Sequence, residues 1–240
     1  SYYKGNFSFG IKEGFGIMFD SIKKEYYIGD WSNDLPSGQG EFKYNNGDSY
    51  IGNWASGKIQ GNGKMSFFNG DALECEWKGI ATGNGTLELN DKSIYRGSFK
   101  NGLKNGFGHY FYRNGAVYEG LWENNHKSGK GIYNYKNGDK FDGLFVNDSR
   151  NGVGIYEYRN GAVYEGQFQN DLRDGYGILK VSKIEKYEGE WKRDEKHGKG
   201  KYIYSNGDVY DGEWSFNRKH GHGVYIWASK KKFVGIFAYD

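Results

Sequence analysis

His220-Gly221-His222 sets two imidazoles two residues apart, a spacing that in a strand sends both side chains to one face. Two such groups could begin a metal site. No carboxylate or cysteine stands at a spacing that would complete the shell, and His197 precedes His220 by a fixed interval, so they read as ordinary loop histidines. Cys75 is the one thiol, and a nucleophilic cysteine needs a base that no spacing here supplies. Gly198-Lys199-Gly200 imitates a phosphate loop, but no helix follows to offer its N-terminus. No catalytic residue, metal or cofactor is therefore expected, and the chain reads as a non-enzyme. The basic residues Lys192, Arg193, Lys196, Arg218, Lys219, Lys230, Lys231 and Lys232 offer a different chemistry. They are expected in loops, where each cation near an anionic membrane is worth about 1 kcal/mol. From Lys180 to Asp240, thirteen Lys/Arg stand against nine Asp/Glu.

The totals limit the wider choices. Net charge is +3, too weak a bias for a nucleic-acid partner. A single cysteine excludes an internal disulfide and fits a reducing, cytoplasmic setting. Forty glycines would suggest disorder, yet 19% of residues are aromatic and only one is proline. A chain rich in both glycine and rings uses glycine for geometry.

That geometry is a repeat, the first thing to seek in such a chain. Numbered from its leading apolar residue, a copy begins at Tyr3, Tyr27, Tyr50, Leu73, Tyr95, Tyr118, Phe141, Tyr164, Tyr187 and Tyr210, with a partial copy over 233–240 from Phe233. Position 3 is glycine except at Cys75, and position 5 is always a ring, as in Phe99, Trp122, Phe145, Phe168, Trp191 and Trp214. A Gly-x-Gly pair follows, then apolar residues two and four positions on, as in Gly129/Gly131 and Tyr133/Tyr135. Every spacing is two, the period of a strand. Each copy is thus two strands, and Asn-Gly pairs such as Asn46-Gly47 and Asn137-Gly138 predict type I′ turns with positive φ at both residues. The glycines clear a floor on which rings lie flat, since no Cβ stands up there.

Tyr118-Glu119-Gly120-Leu121-Trp122 with Gly129-Lys130-Gly131, repeated at 23 residues, resembles the MORN (membrane occupation and recognition nexus) repeat. Residues 1–240 are expected to be one MORN array, a fragment of a longer chain. The resemblance implies an all-β, elongated, single-layer antiparallel meander, curled to leave an aromatic groove. It also implies scaffolding or targeting at cytoskeletal or membrane-associated structures.

The expected partner is a helix or extended peptide held in the groove. Its contacts would be Tyr95, Phe99, Tyr118, Trp122, Phe145, Tyr164, Phe168, Tyr187, Trp191, Tyr210 and Trp214. The alternative is acidic phospholipid on the basic residues. An open edge at Phe233–Phe237 further predicts a homodimer. The Leu73 copy, lacking its tyrosine and its position-3 glycine, is expected to pack more loosely. Turns without Asn-Gly, at Ser21–Lys24, Asp91-Lys92, Lys183-Ile184 and Ser229-Lys230, are expected to be less regular.

Overall fold

A computed structural model describes residues 1–239; Asp240, the last residue of the partial copy, lies outside them. The described residues form 21 strands and no helix. They divide into two compact units: Ser1–Asn114 with Trp122–Asn125, and Gly115–Leu121 with His126–Asp240. Each unit is an open antiparallel meander in which strands consecutive in sequence pair.

The register puts the rings on one face. In the second unit Phe141 lies opposite Tyr156, Gly143 opposite Gly154, and Phe145 opposite Arg150. The next copies repeat this as Tyr164/Leu179, Gly166/Gly177 and Phe168/Arg173, then as Tyr187/Tyr202, Gly189/Gly200 and Trp191/Lys196. In the first unit the corresponding pairs are Tyr50/Met65, Gly52/Gly63 and Trp54/Ile59.

The expected glycine floor is present. Tyr118 lies over Gly120 and Gly131, and a Cβ on Gly131 would come within 2.5 Å of the Tyr118 hydroxyl oxygen. That hydroxyl donates to the Leu121 carbonyl at 2.9 Å. The same bond from position 1 to the carbonyl three residues on recurs at Tyr50, Tyr95, Tyr164, Tyr187 and Tyr210. The position-5 indoles complete the weave: Trp191 Nε1 donates to the Gly177 carbonyl at 3.2 Å, and Trp214 Nε1 to that of Gly200 at 2.9 Å. Not every glycine is floor. The first of each Gly-x-Gly pair, such as Gly152 at φ 76°, sits in a bulge between the Gly143/Gly154 and Phe145/Arg150 pairings, a backbone that side chains resist.

Two turn expectations need correction. Asn46-Gly47 does not form a type I′ turn: Gly47 N donates to the Tyr44 carbonyl at 3.1 Å, and only Gly47 has positive φ. This is a type I turn closed by a left-handed glycine, with Asn46 Oδ1 accepting from Asp48 N at 3.0 Å. The two-residue turns with positive φ throughout lie at the other hairpin ends, at Asn33-Asp34, Asn147-Asp148, Asn170-Asp171 and Arg193-Asp194. Asp and Asn tolerate this backbone because their short side chains bond locally. Nor are all turns lacking Asn-Gly irregular. Lys92 and Lys230 take the glycine's place at φ 75° and 69° and keep its bond to the carbonyl three residues back. Ser21–Lys24 and Ser182–Glu185 do depart, using Asp20 and Ser182 as caps.

The Leu73 copy is not loosened. Leu73, Cys75 and Trp77 are all buried, and Cys75 stays in register with Gly63 and Gly85. The thiol side chain occupies floor that a leucine, shorter than tyrosine, leaves uncovered.

Candidate functional site

The ring face of the second unit is built from four kinds of column. Position-1 rings lie on the glycines. Position-5 rings stand beside them, edge to face: Tyr187 meets Trp191 at 5.1 Å and 89°, and Trp214 of the following copy at 5.3 Å and 85°. Such tilted contacts suit the ring quadrupoles and add about 0.5–1.5 kcal/mol each. The result is closed packing. Tyr95, Phe99, Tyr118, Trp122, Phe145, Tyr164, Phe168, Tyr187, Trp191, Tyr210 and Trp214 are all buried, none more than 5% exposed. Tyr95, Phe99 and Trp122 thus belong to the core of the first unit, and the other eight to the core of the second.

What reaches solvent on this face is a second rank of rings. Tyr133 and Tyr135 pair at 4.4 Å, Tyr156 and Tyr158 at 4.6 Å, and Tyr202 and Tyr204 at 4.5 Å, all half-buried. Tyr225 pairs with Trp227, which is 42% exposed. The first tyrosine of three of these pairs is pinned by an acid on the preceding copy, Tyr202 by Glu185 among them. Tyr156 donates to Asp139 at 2.7 Å and Tyr225 to Asp208 at 2.8 Å. The Tyr225 bond, with that from Ala228 N, holds the Asp208 carboxyl below its usual range. These residues appear in the sequence as the apolar pair after Gly-x-Gly, and their half-exposure follows from lying beyond the floor.

Sequence reasoning meets the fourth column only in part, taking Lys196 and Lys219 as loop cations and missing the rest. Lys127, Arg150, Arg173, Lys196 and Lys219 follow one another at 23 residues, and the rings lie beneath them. Lys127 Nζ stands 5.0 Å from the Tyr133 ring, the Arg150 guanidinium 5.2 Å from Tyr156, and the Arg173 guanidinium 4.0 Å from Trp191. Lys196 Nζ sits 4.5 Å from Tyr202 and 4.6 Å from Trp214. Ring faces are negative, so each contact favours the cation. The interval was the available signal.

Turn acids of the following copy hold part of this column. Arg150 Nε donates to Asp171 Oδ1 at 3.1 Å, and Arg173 Nε to Asp194 Oδ1 at 2.9 Å. Lys196 has Asn217 in the equivalent place, which accepts from its backbone N at 2.8 Å but brings no charge. Half-buried without a counter-ion in bonding range, the Lys196 ammonium is pushed down to about 8, chiefly by desolvation.

The eight cations expected at lipid headgroups therefore divide. Lys196 and Lys219 lie within strands on the ring face rather than in loops. Lys192 pairs with Asp174 at 3.2 Å. Arg193 and Lys230 occupy turns, and Arg218, Lys231 and Lys232 are exposed near hairpin ends. At the expected dimer edge, Val234 and Ile236 of the strand Lys232–Ala238 are exposed.

In the first unit the same position carries Lys12 opposite Phe7 and Lys104 opposite Phe99, and between them the apolar Pro36, Ile59 and Ala81 opposite Trp31, Trp54 and Trp77. A pocket of about 300 Å³ opens there, lined among others by Lys12, Met18, Tyr27, Trp31, Pro36 and Phe42. Burial pushes the Cys75 thiol up to about 11, keeping it protonated and unsuited to nucleophilic attack at neutral pH. Among the described residues, no three His, Cys, Asp or Glu side chains group so as to hold a metal.

The family profile of the MORN repeat matches residues 3–21, 27–49, 50–72, 95–117, 118–140, 141–163, 164–180, 187–209 and 210–231. The chain belongs to the MORN-repeat family. Residues 73–94, which hold the Leu73–Cys75 copy, fall between matched segments. No curated protein matches the chain significantly. Among solved structures, the wild-type TCP10 domain of Danio rerio CPAP, in complex with a peptide of Danio rerio STIL, aligns at 12% identity. The alignment covers 84% of this chain and 90% of that one, with a TM-score of 0.51, and shows a shared fold. The wild-type Danio rerio domain in a further structure (9% identity, 93% and 96% coverage) reaches a TM-score of 0.39. The TCP domain of Drosophila melanogaster SAS-4 with a proline-rich motif of Ana2 (12% identity, 73% and 84% coverage) reaches 0.34. Those two scores carry no weight for this MORN-repeat protein.

Proposed function

We propose that this MORN-repeat array is a non-enzymatic protein-interaction scaffold that holds a helix or extended peptide of a partner against its ring face. The observation that carries the reading is the second rank of half-exposed rings, Tyr133/Tyr135 through Tyr225/Trp227, beside a buried ring row. A soluble surface gains nothing by aligning that many rings, whereas tyrosine and tryptophan are favoured interface anchors. The complex of the Danio rerio TCP10 domain with a STIL peptide is support by analogy of fold alone. The buried rings, Trp122 and Trp191 among them, act in this reading as the support that fixes the outer rank. The reading places the array in the cytoplasm, at a cytoskeletal or membrane-associated structure, and the family resemblance supports it.

The test uses rings that the fold can spare. Tyr156→Ser with Tyr202→Ser is expected to leave the far-ultraviolet spectrum unchanged and to abolish cross-linking of a captured partner peptide to the ring face. A folded double variant that still captures the same peptide would sink the proposal. Sedimentation with acidic vesicles over a salt series tests the lipid alternative; binding that survives loss of both rings but not of Lys230–Lys232 would favour it.

A further inference from the structure

The cation column specifies the partner's chemistry. We propose that the ring face of the second unit receives an acidic peptide segment whose carboxylates recur about every 10 Å. This rests on the reading of the ring face as the partner-binding face and deepens it.

Arg150, Arg173, Lys196 and Lys219 stand in equivalent register opposite the position-5 rings, two strands apart, and Lys127 precedes them by the same 23-residue interval. At about 4.8 Å per strand the rungs are about 10 Å apart. A polyproline II chain turns once every three residues and rises about 3.1 Å per residue, so acids at every third position share one face and keep step with the rungs.

The rungs keep capacity for such a ligand. A guanidinium carries five N–H donors. Arg150 spends Nε and Nη2 on the Asp171 carboxylate and carbonyl, and Arg173 spends the same pair on Asp194. Among the described residues, the remaining donors of both side chains have no acceptor. Among the described residues, Lys196 has no carboxylate within ion-pair range, Asn217 standing where the preceding copies have Asp171 and Asp194. The turn acids that temper the column, Asp148, Asp171 and Asp194, are themselves roughly half exposed and lie at its margin.

The recess argues for a chain rather than a membrane. The column residues are half-buried against rings, whereas the exposed cations Arg193, Arg218 and Lys230 stand at hairpin ends. A bilayer surface meets the ends first; a narrow peptide can reach the recess. The first unit shows that the position does not need charge to fold, because Ile59 holds it opposite Trp54.

Fluorescence anisotropy of the full chain at low ionic strength tests this. The probe is a labelled peptide of five Glu-Ser-Gly repeats; the comparison is the same composition with its glutamates in one block. The spaced peptide is expected to bind, and Lys196→Ile and Arg150→Ile each to weaken it about tenfold, the scale of one charge-assisted hydrogen bond. Lys196→Gln serves should the isoleucine variant not fold. Neutralising Lys230–Lys232 is expected to change affinity less than about twofold. Equal binding of the blocked peptide overturns the spacing, and loss confined to the Lys230–Lys232 variant overturns the column. Ladder-dependent capture by phosphatidylserine vesicles with no peptide binding assigns the face to a membrane instead. If the acidic peptide fails but Tyr156→Ser with Tyr202→Ser still abolishes capture of a partner, the acidic specificity falls and the ring-face reading stands.

Discussion

Trp54 in the first unit and Trp191 in the second hold the same place in the repeat, on the same glycine floor, yet one faces Ile59 and the other Lys196. Pro36 and Ala81 extend the apolar version; Arg150, Arg173 and Lys219 extend the cationic one. The fold therefore asks this position only for a side chain that covers a ring. Aliphatic carbons do that by contact, and cations by contact plus charge. Gly131 and its equivalents show the opposite case, for no side chain at all is tolerated under Tyr118. One column is free to specialise and the other is not.

The strongest way to break that contrast is at the floor. Gly131→Ala drives a Cβ into the Tyr118 ring and should cost about 3 kcal/mol or more in urea unfolding, overpacking with no route of relief. A loss below about 1 kcal/mol would mean that the floor is soft. The Leu73 copy sharpens the point. Leu73→Tyr alone should destabilise by about 2 kcal/mol because Cys75 fills the floor, whereas Leu73→Tyr with Cys75→Gly should recover most of it. Additive losses in that cycle would contradict the exchange of thiol for ring.

Next in size is pH. Burial raises the position-1 tyrosines, Tyr27, Tyr50, Tyr95 and Tyr210 to about 12. A raised folded value means that this stability is intact below pH 10 and drains as pH climbs towards 12. Lys196 runs the other way. Depressed to about 8 from 10.5, it binds fewer protons folded than unfolded between those values, so its contribution to stability rises with pH across that window. Thermal unfolding should show a shallow rise above pH 8 and a collapse above about pH 10; Lys196→Ile should remove the rise alone. Tyr118→Phe, losing the bond to the Leu121 carbonyl, should cost about 1 kcal/mol, and Phe141, which already lacks it, supplies the matched background. Least of all, Ile59→Lys should cost under about 1 kcal/mol at neutral pH, while Lys196→Ile should cost nothing and can stabilise, because it removes the desolvation that lowers Lys196. A larger loss from either would end the claim that the column is interchangeable.

Most of the fold was readable because its signal is local and repeated. Period-two spacing placed Tyr118, Gly120 and Trp122 on one face, and the copies agreed. The Asn-Gly turns misled because the pair fixes where a left-handed glycine falls but not which turn position it occupies, and Asp48 and its bond to Asn46 decided that. The contact rings were assigned as open because nothing in one copy shows that Tyr187 is closed over by Trp214 of the next. Lys127 to Lys219 were hidden in runs that look like ordinary polar loops. Only the bulge at glycines such as Gly152 turns them onto the ring face.

The indole bonds have a direction. Trp31, Trp54 and Trp77 in the first unit, and Trp191 and Trp214 in the second, each donate to a carbonyl 14 or 15 residues earlier in the chain. A copy leaving the ribosome finds its acceptor already in place on a finished neighbour, while that neighbour waits only with a carbonyl that water can satisfy. Synthesis thus proceeds without stranding a buried indole N–H. Trimming such an array from its beginning orphans a donor, and trimming it from its end does not. Assembly can advance copy by copy at the pace of translation, each addition sealing the one before.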